Sequence, residues 1–504
     1  MSSALAPAPR RSRAPRHAAG SRAAAASSAR ASTIATAAAA FNRGFQRGVQ
    51  ARYDAAETTP DNRRHWSAAG WLSPDAEASP DVRRTLRARA RYEVANNSYA
   101  RGIVLTLAND MVGTGPALQV RLPDDPELCA AIERDFETWS QAIGLPEKLR
   151  TVRMARAQDG EAFALFVVNP RVPFDAVALD VQLVEADRVC GAYDAADDDP
   201  QHVDGIRYDR FGNPLFYRVL KHHPGSPWGL GEREDSAIEY PASAVAHLFR
   251  EDRPGQHRGV PELTPALPLF AQLRRYTLAV LSAAESAADF AAVLYTDMPP
   301  ETAADVKPLE TIALERNLVT TLPEGWKMGQ LDAKQPTSNY AEFKKEILNE
   351  IARCLNIPFN VAAGNSSGYN YASGRLDHQV YFRSLRVEQD FTERRLLDPL
   401  FRRWLREWAL YNNRPLDAAK VPFVWYWDGQ EHVDPNKEAR AQAVRLANLT
   451  TNLSAEYAKQ GKDWEAEVRQ IAKERALLKE LDLPQPGADP GDALDDETAN
   501  SNED

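Results

Sequence analysis

The side chains with the most chemical potential are few and widely scattered. His222 and His223 are adjacent, between a predicted strand and Pro224-Gly225. Neighbouring residues of a strand point to opposite faces, so the two imidazoles are poorly placed to chelate one metal and read as a solvated pair. Asp197-Asp198-Asp199 could attract a cation but lacks the spacing of a calcium loop, and it reads as an exposed turn. Cys129, Cys190 and Cys354 are odd in number and far apart, which argues against a disulfide framework and a sequence-local zinc site. Gly113 and Gly115 form only a G-x-G, and it follows a helical pattern rather than a strand. No G-x-x-x-x-G-K-[ST], H-E-x-x-H or C-x-x-C occurs. Trp425 and Trp427 fall on one face of a predicted strand and read as core rather than as a stacking platform. The residues thus offer no catalytic signature, no metal site and no cofactor site.

The elements behind them are clearer. Tyr99, Ile103, Leu107 and Met111 make one stripe of a helix over 92–111, with Gly113 as its C-terminal cap. Leu118, Val120 and Leu122 alternate as a strand. Leu128, Ile132, Phe136, Trp139 and Ile143 mark a second helix, stopped at Gly144. Residues 161–168, 178–184 and 244–249 read as strands, and 205–220 as a hairpin turning at Gly212-Asn213-Pro214. The first half is therefore α+β.

The second half is mainly helical. An alanine-rich helix is predicted over 262–293, with Leu267, Phe270, Leu273, Thr277, Leu281 and Ala284 on one face. Proline-broken sequence follows. Residues 339–355 form the next helix, with Ser338 as N-cap and Pro358 as terminator. The segment 357–374 (IPFNVAAGNSSGYNYASG) reads as a long loop between two helices, which is usually functional or disordered. Helix resumes at Arg375, with Leu376, Val380, Val387, Phe391 and Leu397 as its stripe and a kink or break at Pro399. Phe401, Trp404, Leu405 and Trp408 continue the apolar face. A strand covers 421–427, and two or three charged helices fill 435–480, separated near Gly461.

The 504 residues are enough for several domains, and no run of 18 apolar residues suggests a membrane span. The net charge of −10 argues against a protein that grips duplex nucleic acid over a broad face. Charge is also polarised. Residues 1–53 hold nine arginines, no lysine and no acid. Such an arm is expected to be largely disordered, and it suits a solvated tail, an organelle transit peptide or a polyanion- or partner-binding arm. Residues 484–504 carry seven acids and no base and read as a disordered acidic tail, leaving −12 for the body between.

Several stretches together resemble the lambda-type portal protein family of tailed bacteriophages. They are 92–121 (YEVANNSYARGIVLTLANDMVGTGPALQVR), 158–168 (QDGEAFALFVV), 179–190 (LDVQLVEADRVC) and 205–219 (GIRYDRFGNPLFYRV). The series continues in 249–265 (FREDRPGQHRGVPELTP), 356–375 (NIPFNVAAGNSSGYNYASGR) and 434–446 (DPNKEARAQAVRL). The resemblance implies a mainly helical α+β portal fold assembled as a ring, expected to be a dodecamer, at one capsid vertex. It implies a wing over 54–261, a first stem helix over 262–293, a clip over 294–337 and a second stem helix over 338–356. A tunnel loop over 357–373, a long wing helix and strand over 374–433, and a crown over 434–483 complete it. Double-stranded DNA would pass through the axis during packaging and ejection. The implied partners are the large terminase subunit, the major capsid and scaffold proteins, and the head-completion or connector proteins. Assembly would take place in the host cytoplasm and the protein would end in the virion.

On that mapping Asn365, Ser366, Ser367, Tyr369, Asn370 and Tyr371 would face DNA, with Lys344, Lys345 and Arg375 beside them as weak phosphate contacts. Asp297, Glu301, Asp305, Lys307, Glu310 and Glu315 would lie in the docking clip, whose mixed charge marks no single-sign patch. An acidic body suits a conduit, because many cations on phosphates would release counterions and hold DNA fast. Two readings from other classes remain: a metal-dependent DNA-processing enzyme with scattered carboxylates, and a helical capsid assembly or scaffold protein.

Overall fold

The computed structural model describes Ala56 and residues 59–191, 201–227, 237–289, 293–296, 326–329, 337–368, 370–429 and 435–483. The predicted arm 1–53, the tail 484–504, Asp197-Asp198-Asp199 and nearly all of the segment assigned to the clip lie outside them. The chain divides into two units, residues 1–72 and 73–504. In the first, Thr59 and Asn62 cap one another: the Thr59 N–H donates to Asn62 Oδ1 (2.8 Å) and the Asn62 N–H to Thr59 Oγ1 (3.3 Å).

The second unit opens with α1 (Pro74–Glu77), α2 (Pro80–Asn96) and α3 (Ser98–Val112). The single helix expected over 92–111 is thus two helices. The break is at Asn97, whose side chain accepts from the Tyr99 and Ala100 N–H groups and caps α3. Gly113 ends α3 at φ 56°, as expected. Next come β1 (Ala117–Val120), α4 (Pro126–Ala142) and α5 (Leu145–Asp159). Ile103, Leu107, Ile132, Phe136, Trp139, Leu149 and Val152 bury their side chains in one core.

Strand β2 (Glu161–Val168) is the centre of a three-stranded antiparallel sheet, between β3 (Leu179–Val184) and β8 (Val245–Phe249). It is buried on both faces. Ala162, Ala164 and Phe166 enter the main core, while Phe163 and Leu165 enter a second, smaller core. That second core is closed by a four-stranded antiparallel sheet of β4 (His202–Val203), β5 (Ile206–Tyr208), β6 (Pro214–Leu220) and β7 (Ala237–Pro241). The predicted hairpin is the β5–β6 pair, with a register shift between Arg207 and Tyr208.

Helix α6 (Leu267–Asp289) starts later than expected, because Thr264–Ala266 form a 3-10 turn around Pro265. Leu267, Phe270 and Leu273 are buried, but Leu278 and Leu281 are more than half exposed. The helix leaves the core after its second turn. Short strands β9 (Val293–Thr296) and β10 (Trp326–Gly329) pair antiparallel, and α7 (Thr337–Cys354) returns. Ser338 lies inside α7 rather than capping it.

The expected loop 357–373 contains a helix. Pro358 does not merely end α7: it is the N-cap of α8 (Phe359–Ala363), where Ala362 is buried. The following helix, α9 (Tyr371–Thr392), starts four residues before Arg375 because Asn370 caps it through the Ser373 N–H. The stripe chosen for it is also wrong in part. Leu376, Val380 and Val387 are exposed, and Tyr381 and Leu385 take the core positions. A π-helical turn, Glu393–Leu397, then leads into α10 (Asp398–Tyr411). This is the disruption expected at Pro399: proline has no N–H for the carbonyl of residue 395, and the helix widens to accommodate it. Phe401, Trp404, Leu405 and Trp408 are buried as predicted.

Strand β11 (Phe423–Tyr426) pairs with β1 across the chain, Leu118 opposite Trp425. Trp425 and Trp427 are core residues. Helices α11 (Pro435–Ala447), α12 (Leu453–Lys459) and α13 (Trp464–Glu480) follow, with Gly461 between the last two.

Candidate nucleic-acid interface

The loop singled out in the sequence is reduced to residues 364–370, between α8 and α9. Two glycines make its backbone course: Gly364 (φ 62°) ends α8 and Gly368 (φ 86°) turns the chain back. Polar side chains then stitch it. The Asn365 N–H donates to the Asn360 carbonyl (3.0 Å), and the Ser367 N–H to Asn365 Oδ1 (2.9 Å). Asn360 Nδ2 lies 3.2 Å from His378 Nε2 of α9, joining the two arms of the loop. Asn365, Ser366, Ser367 and Asn370 are exposed. Tyr369 is outside the described residues. Tyr371 is the first residue of α9, and Arg375 is exposed one turn later.

The two lysines occupy different surroundings. Lys344 is half-buried, its Nζ 5.0 Å from the Tyr99 ring and 5.9 Å from the Tyr340 ring. Lys345 is exposed, and its Nζ stands 5.9 Å from the Phe359 ring at the root of α8. Each ammonium thus rests on an aromatic face, which favours the cation without neutralising it. The structure thus places Lys345 beside the start of α8 and Lys344 between α3 and its own helix α7, and neither against the loop's tip. The six candidate docking residues, Asp297, Glu301, Asp305, Lys307, Glu310 and Glu315, lie outside the described residues.

What positions the loop is a set of buried charges that sequence patterns did not reveal. Helix α9 is held at Glu388 by Arg156 of α5 (2.5 Å), at Tyr381, whose hydroxyl donates to Asp110 (2.8 Å), and at Gln389, which donates to the Met111 carbonyl (2.9 Å). Arg153 and Arg156 both grip Glu262, just ahead of α6 (2.9 and 3.3 Å). Burial opposes the charge on Glu262, but these guanidiniums hold its carboxyl below the usual range. Helix α7 is tied to α6 by Tyr276 against Phe343 (centroids 4.2 Å apart) and by Thr277 Oγ1 3.2 Å from the Tyr340 hydroxyl.

A second charge cluster centres on Glu161 at the start of β2. Its carboxylate accepts from Arg258 Nη2 (2.6 Å) and Nε (2.9 Å), from the Gly259 N–H (2.9 Å) and from His247 Nε2 (3.1 Å). The imidazole is therefore the Nε2–H tautomer. Arg258 also binds Asp204 (2.8 Å), which Arg83 shares. Arg87 and Arg91 of α2 pair with Asp187 (3.0 and 2.7 Å). Burial would raise the Glu161 pKa, yet Arg258 and His247 hold it well below the carboxylate range. Burial keeps His247 neutral, against the pull of Glu161.

Among the described residues no group of His, Cys, Asp and Glu is set to hold a metal ion. The three cysteines are free. His222 is exposed, but His223 is half-buried and lies 3.6 Å from Asp187 and 3.7 Å from Glu185, so the pair is not simply solvated. No helix among the described residues is long and apolar enough to cross a membrane.

The described residues thus form a mixed α+β body with an outgoing and a returning helix and a glycine-turned polar loop. The family of phage portal proteins of lambda type matches residues 62–389. The chain belongs to that family. A probable portal protein of Halomonas phage phiHAP-1 is 24% identical over 432 residues, covering 80% of this chain and 82% of that protein. Among solved structures, the neck of an empty gene transfer agent particle covers 84% of this chain at 14% identity and a TM-score of 0.43, with all of that chain matched. The neck of a native gene transfer agent particle, computed with twelve-fold symmetry, covers 78% of this chain and 95% of that chain at 13% identity, also with a TM-score of 0.43.

Proposed function

We propose that this chain forms the ring at one capsid vertex through which double-stranded DNA is packaged and later ejected. The carrying observation is the match to the lambda portal family over residues 62–389. On this reading α6 and α7 are the stem, the pair β9–β10 stands at the base of the clip, and α11–α13 are the crown. Residues 364–370 are the tunnel loop. Its hydroxyls and amides give uncharged, short-lived contacts, while Lys344, Lys345 and Arg375 add a few phosphate contacts around its base. A net −12 over residues 54–483 keeps the total weak enough for sliding. Leu278 and Leu281, exposed on α6, would be covered by neighbouring copies in the ring.

The role is structural rather than catalytic, and no cofactor is invoked. A large terminase subunit would dock at the clip, with scaffold, major capsid and head-completion proteins as further partners. The protein would assemble in the bacterial cytoplasm and reside in the virion.

Negative-stain electron microscopy, with mass measured in solution, tests the proposal. The expected result is closed rings, dodecameric in virions, with an axial channel wider than a duplex. A compact monomer or dimer that stayed so with its scaffold present, and that cut DNA with added metal, would overturn it in favour of a DNA-processing enzyme.

A further inference from the structure

The three C-terminal helices are folded but not packed. Of residues 436–483 only one is buried, and it is a carboxylate: Glu456 of α12, 3% exposed. It is held by Arg445 of α11 (3.1 Å) and by Lys459 (2.7 Å). No apolar side chain of the segment enters either core of the subunit. Val444, Leu449, Leu477 and Leu481 are instead more than half exposed. The segment is tied to the body by backbone and polar contacts. A Cβ added to Gly461 would strike the Trp427 carbonyl oxygen, and Asp463 accepts from Gln119 of β1. Helices of 13, 7 and 17 residues are marginal in water alone and draw their stability from packing an apolar face. Ion pairs whose partners reach solvent add little.

The uncovered faces are ordered. On α13, Trp464, Val468, Ile471 and Leu478 recur at helical spacing and make one stripe, with Val468 and Ile471 each 37% exposed. Glu467 and Glu474 line one flank of that stripe. On α11, Arg445 reaches α12, whereas Val444 is left in solvent. Arg440 one turn and Lys437 two turns before Val444 share its face. One face is thus apolar with an acidic edge, and the other apolar with a basic one. Residues 435–483 hold nine bases and eight acids, a mixture that suits a copy of the same segment better than a strongly charged partner.

We propose that these helices complete their core between copies of this chain. The α13 stripe of one subunit packs on the Val444 face of α11 in the next, with Glu467 and Glu474 against Lys437 and Arg440. The proposal rests on the ring reading, because a closed ring joins two different patches of one chain. Packing of the crown is then a product of ring closure: a free subunit leaves the three helices without a core, and in the ring each set is sealed by its neighbour.

Hydrogen–deuterium exchange on the full-length protein tests this, comparing rings with subunits diluted below ring formation. Amides of α11 and α13 should exchange about tenfold or more slowly in rings. Val444→Asp and Ile471→Asp alter side chains outside the subunit's cores. Each should lose either that added protection or the ring itself, with the unfolding midpoint of the subunit unchanged. Glu474→Arg should weaken the protection, and adding Arg440→Glu should restore it. Helices equally protected in free subunits and in rings would overturn this proposal alone, since they would need no neighbour. So would rings of Val444→Asp in which α13 keeps its protection. Absence of rings in the unaltered protein, seen by electron microscopy, would overturn the ring reading and this proposal with it.

Discussion

Arg258 and Glu161 are both completely buried, and each is the other's main partner. Removing one leaves a charge with no water to receive it. Arg258→Ala should therefore destabilise the protein by about 3–5 kcal/mol. Arg253→Ala, which breaks an ion pair with Glu77 on the surface, should cost less than about 1 kcal/mol. Urea unfolding midpoints of the two variants would distinguish them, and equal shifts would contradict the burial argument. His247 adds a pH dependence. Its folded pKa is depressed, so the unfolded state takes up a proton first as pH falls below 6.5. Stability should thus decline as pH drops from 6.5 towards 5, and His247→Phe, though less stable, should lose that slope. The Glu161 contribution is lost only at lower pH, as pH falls from 4.5 through its own depressed value.

Elements depend on backbone fit as much as on side chains. Gly160 joins α5 to β2 at φ 88°, and a Cβ there would collide with the Val260–Pro261 backbone. Gly160→Ala should cost about 1–3 kcal/mol from overpacking alone, read as a lowered unfolding midpoint. The loop 364–370 is the opposite case, since Gly364 and Gly368 have open space around them. Replacing Asn365, Ser366 and Ser367 with alanine should leave ring formation intact and change DNA packaging or retention. Normal packaging would remove the loop from the channel. The same contrast explains what could be read from sequence. Helices α3 and α4 were legible because Ile103, Leu107, Met111, Ile132 and Phe136 form clean stripes. Helices α2 and α5 were not, because their inward positions include Arg83, Arg87, Arg153 and Arg156. Buried arginine looks like surface until its carboxylate is found, and Glu262 lies more than a hundred residues from Arg153. On α9 apolar residues occur on both faces, so periodicity chose Leu376 and Val380 over Tyr381 and Leu385. The polar loop was visible by composition, but Asn370 as a cap and Pro358 as a helix start were read as loop.

At the scale of the whole molecule, helix α6 is half inside and half outside the subunit. Substituting Leu278 and Leu281 with Asp should leave the unfolding midpoint of the subunit almost unchanged, because neither side chain touches its core. The same change should abolish rings in electron micrographs. Rings that persisted would mean that neighbouring copies meet elsewhere. Strand β2 carries a different lesson. Its odd and even residues belong to different cores, with Ala162, Ala164 and Phe166 on one side and Phe163 and Leu165 on the other. A slip of one residue would drive rings into the space of methyl groups and leave the second core hollow. The two cores are therefore not modules. Neither can be transplanted, redesigned or lost alone, and a substitution tolerated by one has to be tolerated by both.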